Sequence, residues 1–174
     1  MSPASHFRHC PSCGTPRVPD TVQPVTCAAC GFTLFLNTTC ATGGILARAD
    51  GKVLFIRRAL EPAAGTLALP GGFVDEGETV ETALRREFRE EVGIELGALH
   101  FLCSHPNTYH YMDVSYPVLD FFFTARASGD ERPTALDGVA EIYWLDPRAV
   151  DPAELAFPSI VYALEQYLTL TPPV

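Results

Sequence analysis

The chain has 174 residues, 47% hydrophobic and 19% charged, which is material for about one domain with a small appendage and excludes a wholly disordered chain. Its 12 Lys and Arg against 21 Asp and Glu leave a formal charge of −9, which argues against general electrostatic attraction to nucleic acid or to an anionic membrane. No apolar run approaches the ~20 residues of a membrane span, and the first residues lack a signal-type apolar segment. The expected compartment is therefore the cytoplasm, where disulfides are rare.

Four of the six cysteines fall in the first 30 residues, as Cys10-Pro-Ser-Cys13-Gly and Cys27-Ala-Ala-Cys30-Gly. Two residues between cysteines let both sulfurs turn toward one ion, and the glycine after each pair permits the tight turn that follows. Four thiolates make the tetrahedral set that zinc prefers, and a closed set has no open position for water, so a structural Zn²⁺ is expected. The intervening segment is proline-rich and too small for its own core. Residues 1–37 therefore read as a zinc ribbon and residues 38–174 as a second, larger domain. Cys40 and Cys103 lack partners at ligand spacing and read as small apolar residues.

From about residue 40 the pattern becomes that of an α/β domain. Thr42–Arg48 and Val53–Arg57 read as strands joined by a hairpin turn at Ala49-Asp-Gly-Lys52. A Pro/Ala/Gly-rich loop leads to a short strand at Leu67–Leu69. Thr79–Val92 reads as a helix stopped by Gly93. Strands are expected near Leu99–Ser104, Pro117–Ala127 and Val139–Leu145, with a polar loop over Ser128–Gly138 and a closing helix over Pro158–Leu170.

Seven of the 21 acidic residues lie in the 23 residues from Gly72 to Ile94. Glu87, Glu90 and Glu91 stand at i, i+3 and i+4, on one helix face within about 100° of arc. They abut the apolar row Val80, Leu84, Phe88 and Val92, while Thr82, Arg85 and Arg89 occupy the solvent side. Carboxylates crowded at a core margin repel and lose hydration; a hard divalent cation such as Mg²⁺ or Mn²⁺ compensates both costs. Arg86, one turn before Glu90, is placed to hold carboxylates by forked hydrogen bonds, with Glu78 within reach if the preceding loop folds back.

Gly72-Phe-Val-Asp-Glu-Gly-Glu78, seven residues, then Arg86-Glu-Phe-Arg-Glu-Glu-Val-Gly-Ile94 resembles the Nudix box, G-x5-E-x7-R-E-U-x-E-E-x-G-U, with Phe88 and Ile94 at the bulky U places. The resemblance implies an α/β/α sandwich with a mixed sheet. It also implies a hydrolase that cuts the diphosphate of a nucleoside diphosphate linked to another moiety. It implies Glu87 and Glu91 as principal Mg²⁺ or Mn²⁺ ligands, Glu90 as a further ligand or water-positioning group, and the Gly71 carbonyl as completing the shell. Glu78 and Arg86 would orient the helix carboxylates. Glu141, three residues before Trp144, resembles the late glutamate of zinc-ribbon NADH pyrophosphatases and is the candidate further ligand or base.

A four-cysteine ribbon ahead of such a domain resembles NADH pyrophosphatases and FAD or ADP-ribose diphosphatases, which implies a small-molecule substrate of the NAD(H), FAD or ADP-ribose class. Ser104-His-Pro-Asn-Thr-Tyr109 departs from the Ser-Gln-Pro-Trp type motif of the NADH enzymes. Tyr109, Tyr111 and Phe157 are the candidates for stacking on a base or flavin, and His105 and His110 for touching phosphate. The alternative is a nucleotide-sensing module whose ribbon contacts a protein or nucleic acid. Few basic residues in the ribbon weigh against nucleic acid. A dimerisation or lid role for the ribbon, by analogy, admits a homodimer.

Overall fold

The computed structural model describes residues 2–19 and 23–170. A two-stranded antiparallel ribbon, β1 (Val25–Thr26) and β2 (Thr33–Leu34), pairs Val25 with Leu34. Then come β3 (Thr39–Ala47), β4 (Val53–Arg58), β5 (Leu67–Ala68), α1 (Val80–Val92), β6 (His100–Tyr111), β7 (Val114–Arg126), β8 (Val139–Leu145) and α2 (Pro158–Leu170). Six strands form a mixed sheet, ordered β5-β4-β3-β7-β6 with β8 on β4. Only β3 and β7 run parallel, in register from Thr39↔Val118 to Ala47↔Arg126.

One irregularity of this sheet positions the site. β3 and β4 pair only at Ala47↔Val53, beside their turn. Beyond it they separate, and the segment from Leu67 to Gly72 fills the gap. On one side it pairs with β4 through Arg57↔Leu67 and Ile56↔Ala68. On the other, Gly44 N–H donates to Pro70 O at 3.0 Å and Thr42 N–H to Gly72 O at 2.9 Å. The backbone of residues 67–72 is thereby hydrogen-bonded into the gap, with Gly71 at φ 147°.

The core gathers Ile45, Leu46, Val53, Leu54, Phe55 and Ile56 from the two central strands with Leu84, Phe88 and Val92 from α1. Successive strand residues face opposite ways, and β3 shows it. A Cβ on Gly44 would lie 2.5 Å from the Phe88 ring of α1, and one on Gly43 2.9 Å from the Phe122 ring. Glycine at 44 is thus what lets α1 settle on the sheet, while α2 packs against β6. The result is the α/β/α sandwich with a mixed sheet that the sequence implies.

Most expected elements appear within a few residues of their expected bounds. The exception is β6. It does not stop near Ser104 but runs on to Tyr111, paired with β7 through His105↔Asp120 and Tyr109↔Tyr116, so His105 and His110 are strand residues. Pro106 reads as a breaker, but β6 is an edge strand, where a missing N–H on the open side is tolerated. Among the described residues no helix is long and apolar enough to cross a membrane.

Candidate active site

α1 is fixed at both ends. The Thr79 hydroxyl accepts from Thr82 N–H at 3.2 Å, and Gly93 closes the helix in the left-handed region at φ 69°. The loop before β8 docks on its C-terminal carbonyls, with Thr134, Leu136 and Asp137 N–H groups donating to Val92, Glu91 and Glu90 oxygens. Leu84, Phe88 and Val92 are buried, which fixes the rotation of the helix and sets Glu87 and Glu91 at the margin facing Gly71 and Gly72.

Arg86 is the hub of the carboxylates. Its Nε and Nη2 donate to Glu78 Oε1 and Oε2, each at 3.0 Å, and its Nη1 to Glu87 Oε1 at 2.7 Å and Glu90 Oε2 at 3.1 Å. Nη2 also donates to the Phe73 carbonyl at 3.0 Å, tying the loop before α1 to the helix. One guanidinium thus holds Glu78, Glu87 and Glu90 and fixes their orientation.

Glu91 is left out of this network. Its Oε2 accepts from Gly71 N–H at 2.9 Å, and Asp137 adds negative charge nearby. Burial pushes its carboxyl up to about 8 against the pull of the Gly71 hydrogen bond. Burial also raises Glu87, whose side chain is 15% exposed, although Arg86 opposes this. The Arg86 hydrogen bonds instead lower Glu78. Gly71 is sterically required, whereas Gly72 faces the end of a flexible side chain. A Cβ on Gly71 (φ 147°) would lie 2.1 Å from Thr42 O, and one on Gly72 2.5 Å from Glu87 Oε1. Desolvated carboxylates that outnumber their cation, all with oxygen donors, suit a hard divalent ion; Glu87, Glu90, Glu91 and the Gly71 backbone are the groups that would hold it.

Gly71 and Gly72 also line a cleft of about 150 Å³ on the sheet. Its other functional walls are Arg58, Phe73, Asn107, Tyr109, Asp120 and Phe157. The Phe73 and Tyr109 rings meet edge to face at 5.1 Å, and the Tyr109 and Phe157 centroids lie 6.1 Å apart. Arg58 stands over Phe157, its Cζ 5.3 Å from the ring centroid, and its charge also acts on Glu91. A cation thus stands between the carboxylates and the aromatic walls. Burial raises the Asp120 carboxyl, opposed by Ser159, Asn107 and His105.

Of the expected aromatic contacts, Tyr109 and Phe157 reach the cleft and Tyr111 is not among its walls. Tyr111 shares the strand face of Tyr109 but sits two residues, about 7 Å, further along, beside the hairpin turn and 46% exposed. Glu141 pairs across the sheet with Arg57. Its carboxylate accepts from the Tyr143 hydroxyl and lies 3.4 Å from Arg57 Nε, with the side chain 58% exposed. His105 packs on Tyr162 with ring centroids 4.5 Å apart, and His110 Nδ1 is 2.9 Å from the Ser115 hydroxyl.

The four N-terminal cysteines come together, with all four sulfurs within 4.8 Å of one another. Cys10–Cys30 and Cys13–Cys27 are each 3.8 Å apart. A tetrahedron of sulfurs about 2.3 Å from zinc has edges of about 3.8 Å, so the set has the size of a zinc site. Both knuckles use the same turn. Gly14 N–H donates to Cys10 O and Gly31 N–H to Cys27 O, each at 2.9 Å, with φ of 72° and 75°. Hydrogen bonding with Thr15 brings the Cys13 thiol down to about 6, while hydrogen bonding within the set, to Cys13 above all, pushes Cys30 up to about 12.

The family model for the NUDIX domain matches residues 38–164. The solved structure of a MutT NUDIX hydrolase from Burkholderia pseudomallei is 31% identical, with a TM-score of 0.64, over 75% of this chain and 98% of that one. An ADP-ribose pyrophosphatase of Methanocaldococcus jannaschii is 48% identical over 63 residues, 36% of this chain and 37% of that protein. An NAD-capped RNA hydrolase, NudC, of Pseudomonas aeruginosa is 32% identical over 102 residues, 58% of this chain and 36% of its own length. The matches thus span little more than a third of each of these two relatives.

Proposed function

Because the chain belongs to the NUDIX family, we propose that it is a Mg²⁺- or Mn²⁺-dependent hydrolase. It cleaves the diphosphate of a nucleoside diphosphate linked to a second moiety, of the ADP-ribose, NAD(H) or FAD class. One observation carries this reading. The backbone that touches the box carboxylates, Gly71 at Glu91 and Gly72 at Glu87, is also a wall of the aromatic cleft. A nucleotide seated in the cleft therefore has its phosphates at the carboxylates. ADP-ribose and NAD follow the names of two relatives, and FAD follows the resemblance of a four-cysteine ribbon ahead of such a domain.

Each part of the site has a task. Glu87, Glu91 and the Gly71 carbonyl hold the cation, with Glu90 beside them. When bound, a divalent cation supplies charge neutralisation of the diphosphate and acidification of water. Arg86, anchored by Glu78, keeps Glu87 and Glu90 from swinging apart between turnovers. Arg58 faces the phosphates from the cleft side. Tyr109 and Phe157, with Phe73, take the base by its faces. At about 150 Å³ the cleft is well below the ~300–1,000 Å³ that encloses a whole drug-sized ligand, so it receives one ring system while the second moiety extends outward. Glu141 is the candidate proton acceptor. The cysteine quartet holds a structural Zn²⁺ that folds residues 1–37 as a ribbon ahead of the domain of residues 38–174, and the first turn of that segment, Pro3–His6, contacts β7.

The test is a hydrolysis panel of ADP-ribose, NADH, NAD⁺, FAD and NAD-capped RNA with Mg²⁺, Mn²⁺ or EDTA, read by mass spectrometry. Metal-dependent release of a nucleoside monophosphate supports the reading. No turnover with tight binding of one compound replaces it with the sensing module.

A further inference from the structure

Asp120 stands on β7 between Val118 and Phe122, on the face that lines the cleft, and is 8% exposed. A carboxylate on an inward strand face loses hydration and requires compensation. Here the compensation is incomplete. Asn107 Nδ2, on β6, donates to Asp120 Oδ2 at 2.9 Å. Ser159 lies beside it, but its fully buried hydroxyl makes no hydrogen bond of regular geometry. No ion pair to Asp120 occurs among the described residues; His105, its cross-strand neighbour, is engaged with the Pro106 carbonyl and the Tyr162 ring. A carboxylate offers about four acceptor positions, and Asn107 and Ser159 account for at most two of them, so acceptor capacity is left at the wall of a cavity.

Asn107 is oriented by its own backbone contact. Its Oδ1 accepts from Thr108 N–H at 2.8 Å, which turns its NH₂ toward Asp120. One amide hydrogen goes to Asp120 and the second remains. The pair therefore presents an acceptor next to a donor, between the aromatic faces of Tyr109, Phe157 and Phe73.

We propose that Asp120 and Asn107 read the edge of the nucleobase and select a 6-aminopurine over a 6-oxopurine. Asp120 accepts from the exocyclic amino group and Asn107 donates to the adjacent ring nitrogen. This rests on the nucleotide reading above and specifies which base the cleft takes. A 6-oxopurine presents the reverse order, carbonyl oxygen then ring N–H, and so sets acceptor against acceptor while the phosphates fix its direction of entry. Good two-point base recognition discriminates by about 5- to 150-fold.

The experiment is calorimetric titration of the full chain with AMP and with IMP in Mg²⁺, for wild type, Asp120→Asn and Asn107→Ala. The expected result is about tenfold tighter binding of AMP by wild type, falling to less than twofold preference in either variant. Asn107→Ala keeps the test open if Asp120→Asn fails to fold. Equal binding of the two nucleotides by wild type, a preference for IMP, or an undiminished AMP preference in a folded variant overturns the proposal. Because AMP and IMP contain no diphosphate, the readout is independent of hydrolysis. A chain that selects AMP but cleaves nothing retires the hydrolase reading and keeps this one. A chain that cleaves ADP-ribose but binds AMP and IMP alike does the opposite.

Discussion

Arg86 grips Glu78 with two parallel hydrogen bonds, Nε to Oε1 and Nη2 to Oε2, each 3.0 Å. The same guanidinium holds Glu87 and Glu90 through Nη1, so Glu78 acts as the anchor of a lever that aims two box carboxylates. Glu78→Gln replaces one acceptor with an NH₂ facing the guanidinium. We expect a small loss of stability and a 10- to 100-fold fall in kcat/KM. Arg86→Lys should lose a similar factor in kcat/KM, since it keeps charge but not the fork. Wild-type turnover in both variants would remove the lever from the mechanism.

Gly72 and Gly44 separate function from stability. A Cβ on Gly72 would meet only the end of the Glu87 side chain, at 2.5 to 2.9 Å, and a flexible carboxylate gives way. Gly72→Ala should therefore melt close to wild type yet lose most of its turnover. At Gly44 the obstacle is the buried Phe88 ring, 2.5 Å away, and overpacking there should cost ~1–3 kcal/mol. Thermal melts alongside assays check the contrast, and an active Gly72→Ala enzyme would contradict it.

Burial raises the Glu91 carboxyl from its ordinary 4.5 to about 8. The folded chain thus holds this proton at pH values where the unfolded chain has released it. Between those values the native state binds more protons, so stability falls as pH rises. The contribution is fully present below about 4.5 and lost as pH passes about 8. In EDTA, the urea midpoint should decline across this interval, and Glu91→Gln should flatten the decline. An unchanged slope in that variant assigns the effect elsewhere.

The carboxylates and the cysteines were legible in the sequence because their geometry is local. Helix spacing alone puts Glu87, Glu90 and Glu91 together, and two C-x2-C turns need little beyond one ion to meet. The cleft is not local. Arg58, Phe73, Asn107 and Asp120 come from β4, the loop before α1, β6 and β7, and converge only once β3 and β7 pair in parallel. β6 continues past Ser104 because Pro106 lies on an edge strand, a position that only the sheet order reveals. Asp120 did leave one signal, a lone carboxylate within the run Val118-Leu-Asp-Phe-Phe-Phe123, where a strand buried on both faces has no place for an unsatisfied charge.

Cys13→Ser removes one corner of a sulfur set whose 3.8 Å edges match a zinc tetrahedron. Acid release from the wild-type chain should yield about one zinc per chain, and the variant should yield much less. Because β1 and β2 have two residues each, little else holds the ribbon, so its amides should exchange rapidly in the variant while those of β3 and β7 stay protected. A metal-free wild type with a protected ribbon would show that the cysteines stabilise it without an ion.

Glu87 and Glu91 differ from Glu141 in what each carboxylate already touches. Glu91 has one backbone donor and no cation of its own, and Glu87 shares Arg86 with two rivals. Glu141 is exposed and held by Arg57 and Tyr143. Removing charge at Glu87 or Glu91 by substitution with Gln should therefore cut kcat by 10²-fold or more and weaken Mg²⁺ activation. At Glu141 the Arg57 and Tyr143 contacts survive in part, so Glu141→Gln isolates proton transfer. A base role shows as a fall in kcat of ~10²-fold or more with KM and Mg²⁺ dependence unchanged. A change of less than twofold in all three parameters leaves Glu141 as a sheet contact of Arg57.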